Sequence, residues 1–370
     1  MSVINFGQSI SVKEFAHAVS TVGQDVTIIA QGEPGIGKSA MLKEMAKLKP
    51  GYQFVYLDCA QLVDQGDLAM PFTQAVKMEL LNVDANGEMR ITKVAPYEFF
   101  KFHTGKPVII MLDEIGKAIR GVINALLTLM LEKRYREFHL PEGSIVCGTT
   151  NLSSDGVGDR MEAHVRNRVA FVTVRKPTKD EWVDWAAGSG VAPEVIAWAR
   201  FDHKHDPFAS YTDPSQRDNP YIFNPTRAGG GAFVTGRSLE KASHVVKQRA
   251  VLGDAVTIAL LAGLLGEAAA RDMPTFFAIS DKLPTKEQIA NDPENAKLPD
   301  DTIARCMLVY GAFTWVTKET LSPVIKYIQR MDKEWQALFC KGIMAIEAKQ
   351  PFASKNKDLT TWAMANQWLL

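Results

Sequence analysis

Apolar positions follow two rhythms along this chain. In its first part, short strand-like, largely apolar stretches occur at Val26–Ala30, Phe54–Leu57, Val108–Leu112, Ser144–Gly148 and Ala170–Val174, of which Val108–Leu112 is an unbroken apolar run. A short run without polar alternation reads as a strand covered on both faces of a parallel sheet. Between these runs, Val12–Val22, Ala40–Leu48 and Val122–Glu132 carry helical spacing. Phe15, Ala18 and Val19 share a face of the first, and Leu126, Leu127 and Met130 share a face of the third. Alternating strands and helices predict an α/β unit. Pro177–Arg200 is helical and carries Trp182, Trp185 and Trp198 as core candidates. From Arg237 onward helical spacing takes over, in Ser238–Gln248, Val256–Ala270, Thr275–Ile279, Thr302–Val316, Leu321–Met331, Glu334–Ala345 and Leu359–Leu370. The predicted organisation is an α/β core over 1–200, an irregular linker over 201–236 and an all-α region over 237–370.

Polar breaks refine this picture. Asn86-Gly87 inside Lys77–Val94 is a type I′ hairpin signal, and Lys133–Gly143 reads as a second hairpin. Pro284–Pro299 reads as a connector. Phe201–Gly231 is rich in Pro, Asp, Asn and Gly, and reads as a long mobile loop. It contains Asp202-His203-x-His205-Asp206, but no cysteine or i,i+4 histidine spacing supports a metal site there.

Candidate chemistry sits where the apolar runs end. The first runs into VTIIAQGEPGIGKS (Val26–Ser39), in which Gly32, Gly37, Lys38 and Ser39 fit the phosphate-binding pattern G-x-x-x-x-G-K-[ST]. Glycines permit a tight turn whose N–H groups cradle phosphate oxygens, and the following helix adds the positive end of its dipole. Glu33, Pro34, Gly35, Ile36, Gly37, Lys38, Ser39 and Ala40 are therefore candidate contacts for the phosphates of a nucleotide. Lys38 would reach the phosphates and Ser39 would ligate Mg²⁺. Val108–Leu112 ends in Asp113-Glu114, at the strand edge where open α/β sheets bind ligands. Asp113 is the second candidate Mg²⁺ ligand, and Glu114 the candidate group that polarises the attacking water. Asn151 follows Ser144–Gly148 at the same edge. Its amide can orient water or sense a phosphate, or it can simply start a turn. Arg166 and Arg168, expected on a short helix, precede the last strand. Either can stabilise charge on a transferring phosphoryl group, often across a subunit boundary.

Composition narrows the partners. Lys plus Arg and Asp plus Glu both total 42, so net charge points to neither nucleic acid nor membrane. The four cysteines are far apart and without CxxC spacing, as in a reducing compartment. No apolar run is long enough to span a membrane, and the start MSVINFGQSI has no basic region leading into an apolar run. A cytoplasmic location is the expectation.

The order of these motifs resembles that of the AAA+ ATPases: Walker A, Walker B, sensor 1, arginine finger, and a helical lid carrying sensor 2 at Arg237. The two added hairpins resemble the helix-2-insert and pre-sensor-1 branch. Within it the chain is similar to the MoxR-like group, through LDEIGKAIRGVINALLTLMLEKRYREFHLPEG (Leu112–Gly143), HVRNRVAFVTV (His164–Val174), VTGRSLEKAS (Val234–Ser243) and LLAGLLGEAAARDMPTFFA (Leu260–Ala278). The resemblance implies Mg²⁺-dependent ATP hydrolysis by a ring, expected to be a hexamer. Arg168, or Arg166, would enter the neighbour's site, and Arg237 would act in cis. It also implies remodelling of a protein client, often with a von Willebrand factor A partner. The sequence departs from the group at VRNRV, which lacks the usual acidic residue before Arg and Phe after it. It also lacks a clear aromatic pore loop, for which Met70-Pro71-Phe72 is a partial substitute. Two alternatives stand beside this reading. One is action on nucleic acid, through Lys77, Arg90, Lys93, Lys133, Arg134 and Arg136 at the hairpins. The other is a slow nucleotide-gated scaffold.

Overall fold

The computed structural model describes residues 9–77, 88–152, 167–225 and 231–369. The chain folds as two compact units, Met1–Lys176 and Pro177–Leu370.

In the first unit, among the described residues, five strands form one parallel sheet. They are β1 (Ile28–Gly32), β2 (Gln53–Asp58), β5 (Val108–Asp113), β8 (Ile145–Asn151) and β9 (Ala170–Thr173), in the order β2-β5-β8-β1-β9. Helices α1 (Val12–Val22), α2 (Lys38–Leu48) and α3 (Arg120–Glu132) pack around it. Ser11 opens α1 with a capping box to Glu14, the pattern a Ser-x-x-Glu sequence encodes. The side chains of β5 alternate between faces. Val108, Ile110 and Leu112 join one core cluster with Val122, Leu126, Leu129 and Met130 of α3. Ile109 and Met111 join the other with Phe15 and Val19 of α1 and Met41 and Met45 of α2. This explains the unbroken apolar run: both faces are buried, so no position can be polar. On α3 the fully buried leucines are Leu126 and Leu129, while Leu127 is half-buried.

Two antiparallel pairs decorate this unit. β3 (Ala69–Lys77) pairs with β4 (Glu88–Pro96), from Ala69↔Pro96 to Lys77↔Glu88. The turn expected at Asn86-Gly87 lies outside the described residues. β6 (Arg134–Tyr135) and β7 (Phe138–His139) form the second hairpin.

The second unit is helical, with one apolar cluster running from Trp182 to Trp362. Lys179–Gly188 and Pro193–Arg200 belong to it, whereas the sequence places them with the α/β part. The physical reason is their burial: Trp182, Val195 and Trp198 pack in this cluster. The stretch 201–225 is irregular but tied down. Asn219 is fully buried and its amide donates to the Asp206 carbonyl at 2.7 Å. The His203 side chain is buried too, its Nε2 2.8 Å from the Trp198 carbonyl and its ring against Trp198, Phe201 and Tyr221. Among the described residues no group of three or more His, Cys, Asp or Glu could hold a metal. The connector at 284–299 contains a short helix, Lys286–Asn291, capped by Thr285. The four cysteines are free and buried. Among the described residues no helix is long and apolar enough to cross a membrane.

Candidate nucleotide site

Parallel pairing brings four strand ends to one edge. β1 registers Gly32 against Asn151 of β8, and β2 registers Asp58 against Asp113 of β5. The burial of five apolar β5 side chains, worth roughly 1.5–3 kcal/mol each, anchors the strand that carries the acidic pair.

From Gly32 the chain turns through Glu33–Gly37 into α2. A Cβ at Gly32 would stand 2.7 Å from the Val174 carbonyl oxygen and 2.7 Å from Ile36 Cδ1, so no larger residue fits. Gly37 has φ 93°, a left-handed conformation that glycine adopts without penalty, and it is the N-cap of α2. No side chain caps this helix, which leaves its first N–H groups without a side-chain acceptor. Ile36 is fully buried, so it can offer a ligand only its backbone. The Ala40 N–H donates to the Gly37 carbonyl at 2.8 Å. Glu33 is buried, and its carboxylate pairs with Lys176 Nζ at 2.7 Å, binding the loop to the chain just past β9. Pro34 and Gly35 lie in the turn, Gly35 with φ 87°. Ser39 is the second residue of α2.

Lys38 points at the acidic edge. Its Nζ lies 3.1 Å from Glu114 Oε1, 3.4 Å from Asp113 Oδ1 and 3.5 Å from Asn151 Oδ1. Four residues from three distant segments thus meet at one ammonium group. Asp113 is buried, which by itself raises its pKa. Hydrogen bonds donated by Thr149 and Tyr56 and the charge of Lys38 outweigh burial, and the carboxyl ends below its usual range. Glu114 is about a quarter exposed. Burial raises its pKa as well, but Lys117 and Lys38 outweigh that and lower it. Both carboxylates are therefore ionised at neutral pH.

The backbone at Glu114 is left-handed, with φ 52° and ψ 38°. That is costly for a residue with a Cβ, and such outliers cluster at functional sites. Its N–H donates to Asp113 Oδ1 at 3.1 Å and to Thr149 Oγ1 at 3.2 Å.

Three arginines complete the candidate set. Arg168 is exposed in the turn immediately before β9, not on a helix. Arg166 lies outside the described residues. Arg237 is exposed in the first turn of Gly236–Lys247, a helix of the second unit capped by Thr235 and Ser238. Three contributors escape a reading of the sequence. Lys117 is three residues past Glu114 and bonds its Oε2. Thr149 precedes Asn151 by two. Tyr56 reaches Asp113 across the β2–β5 pair. The spacing of Lys117 and Thr149 is a usable signal, whereas Tyr56 becomes visible only once β2 is known to flank β5.

The arrangement could hold a nucleoside triphosphate with Mg²⁺: an uncapped helix start, a directed ammonium group, an ionised aspartate and an amide converge. Asp113 would hold the metal, and Ser39 is the expected second ligand.

No curated protein matches the chain. Among solved structures, the RuvB Holliday junction branch migration motor of Thermotoga maritima is 14% identical, covering 86% of this chain and 86% of that chain, with a TM-score of 0.38. NtrX from Brucella abortus, in complex with ADP, is 13% identical, covering 72% and 67%, with a TM-score of 0.33. The first unit has the P-loop parallel-sheet fold of AAA+ proteins. Residues 27–154, about a third of the chain, match the family described as "AAA domain (dynein-related subfamily)".

Proposed function

We propose that this chain is a Mg²⁺-dependent ATPase of the MoxR-like type, which works as a ring and remodels a protein partner. The observation that carries the catalytic part is the convergence of Lys38 with Asp113, Glu114 and Asn151. Phosphate oxygens placed against the start of α2 would compete with those carboxylates for the Lys38 ammonium. Glu114, ionised at neutral pH, can accept a proton from water or orient it for attack. Asn151 offers an amide beside the same ammonium. Bound Mg²⁺ supplies charge neutralisation on the phosphate oxygens. Arg168 is exposed, as an arginine acting on a neighbouring subunit must be.

Glu114→Gln tests the catalytic part. Turnover should fall about 10²–10⁴-fold, the usual worth of a general base, while ATP stays bound. Equal turnover would sink the assignment. Arg168→Ala should lower turnover without weakening binding, and mixing it with Glu114→Gln subunits should restore activity if the arginine acts in trans. A pull-down with Glu114→Gln, loaded with ATP, tests for a protein partner.

Of the three cations at the second hairpin, Arg136 is exposed, but the other two weigh against action on nucleic acid. Lys133 is turned inward to Thr27 Oγ1 and the Met130 carbonyl, both at 3.0 Å. Arg134 pairs with Glu132 at 2.6 Å. Stimulation of turnover by DNA at low salt, lost steeply as salt rises, would reverse that preference.

A further inference from the structure

Thr149 bonds the same Asp113 oxygen that the Lys38 ammonium approaches at 3.4 Å. It is fully buried on β8. The β5–β8 register runs to Leu112↔Gly148, and one step later β5 ends. At that step the backbone of Glu114 turns left-handed, so its N–H can no longer continue a strand ladder. The Thr149 hydroxyl takes over: it accepts the Glu114 N–H at 3.2 Å and donates its own proton to Asp113 Oδ1. A hydroxyl has one proton to give and lone pairs to receive, so one side chain serves both neighbours at once. The other Asp113 oxygen, Oδ2, takes the Tyr56 hydroxyl. The two acidic residues of the site are thus fixed by a side chain on the next strand, which also carries Asn151 two residues on.

We infer that Thr149 is a positioning residue for ATP hydrolysis, whose hydroxyl holds the Asp113 carboxylate and the strained Glu114 turn in working geometry. This rests on the ATPase reading above. The Thr149 hydroxyl bonds Asp113 and Glu114. It acts through Asp113 and Glu114, and so ties the tip of β5 to the strand that ends in Asn151. A packing role alone predicts something different. Valine fills the same space as threonine, so Thr149→Val would then be silent, whereas loss of the methyl in Thr149→Ser would be felt.

The experiment compares full-length wild type, Thr149→Val and Thr149→Ser for ATP turnover and for ATP binding with Mg²⁺ and with EDTA. Thr149→Val is expected to lower kcat about 10–100-fold, the effect of misplacing a catalytic group by a fraction of an ångström to one ångström. Its ATP affinity in EDTA should stay within about twofold, since the Lys38 contact to phosphate is untouched. The gain in affinity on adding Mg²⁺ should shrink, because Asp113 is held by one hydroxyl instead of two. Thr149→Ser should keep kcat close to wild type. A Thr149→Val enzyme with wild-type kcat overturns the inference, and so does a Thr149→Ser enzyme as impaired as Thr149→Val. If wild type itself fails to turn over ATP, the hydrolysis reading falls. The clamp is then judged on binding, where an unchanged Mg²⁺ gain in Thr149→Val overturns it. Should Thr149→Val not fold, Thr149→Ala takes its place with the same expected pattern.

Discussion

Glu114, the carboxylate proposed to act in hydrolysis, has a backbone conformation that stability disfavours. Charge and conformation can be separated by comparing Glu114→Gln with Glu114→Gly. Both remove the carboxylate that pairs with Lys38 and Lys117, so both should lose turnover about 10²–10⁴-fold. They differ in the backbone. At φ 52° a side chain with a Cβ costs about 1–2 kcal/mol, and glycine relieves it. Glycine also gives up about 0.5–1 kcal/mol through the freedom of the unfolded chain. Gln keeps a carbonyl acceptor for Lys117, a partly exposed contact worth a few tenths of a kcal/mol. The net expectation is that the glycine variant is more stable by about 0.5 kcal/mol, a roughly twofold change in a local opening equilibrium. Tryptophan fluorescence would miss this. All seven tryptophans lie at or beyond Trp182, in the second unit. The assay is amide hydrogen exchange over β5 and β8, whose exchange should be slower in Glu114→Gly than in Glu114→Gln. Equal or faster exchange in the glycine variant would refute the strain argument and leave the catalytic assignment standing.

Three further outcomes are expected. Lys38→Ala should weaken ATP binding about 10–100-fold, the worth of one charge-assisted hydrogen bond; titration calorimetry showing an unchanged Kd would remove Lys38 from the phosphate site. Gly32→Ala should destabilise the first unit by about 1–3 kcal/mol, because its Cβ meets the Val174 carbonyl oxygen at 2.7 Å; amide exchange over β1 and β9 reads this, and wild-type protection would contradict it. Lys133 is pushed down by burial to about 8 from 10.5. Between those values the unfolded chain holds more protons than the folded one, so the Lys133 contribution rises with pH through that window. Below pH 8 its burial penalty is fully present. The rise should be about 1–3 kcal/mol after solvent screening. Urea unfolding at pH 7 and pH 9 should show a smaller pH dependence for Lys133→Met than for wild type; identical dependence would count against the buried amine.

Much of the site is legible before any tertiary structure. Gly32 and Gly37–Ser39 are spaced by the chemistry of a phosphate cradle, and the apolar run Val108–Leu112 demands a strand with both faces covered. Its polar successors, Asp113 and Glu114, then have to emerge at the sheet edge. The same logic puts Asn151 there. Local rules suffice because a buried parallel strand has one pattern and one place to end. Those rules fail where partners are remote in sequence. Trp182 and Trp198 fit a helix in either unit, and burial assigns them to the second. Phe201–Pro225 has loop composition, yet Asn219 and His203 pin it by buried contacts no local pattern encodes.

What the sequence alone determined is the list of reactive groups and the edge to which they belong, because strand burial and glycine geometry are local consequences of residue type. What only the tertiary structure decided is how those groups hold one another. Strand order sets β8 beside β5, which lets the Thr149 hydroxyl reach Asp113 and Glu114. It sets β2 on the other side, which brings Tyr56 to the second Asp113 oxygen. Contacts of a few ångströms between segments dozens of residues apart depend on register, and register is fixed by the whole sheet at once.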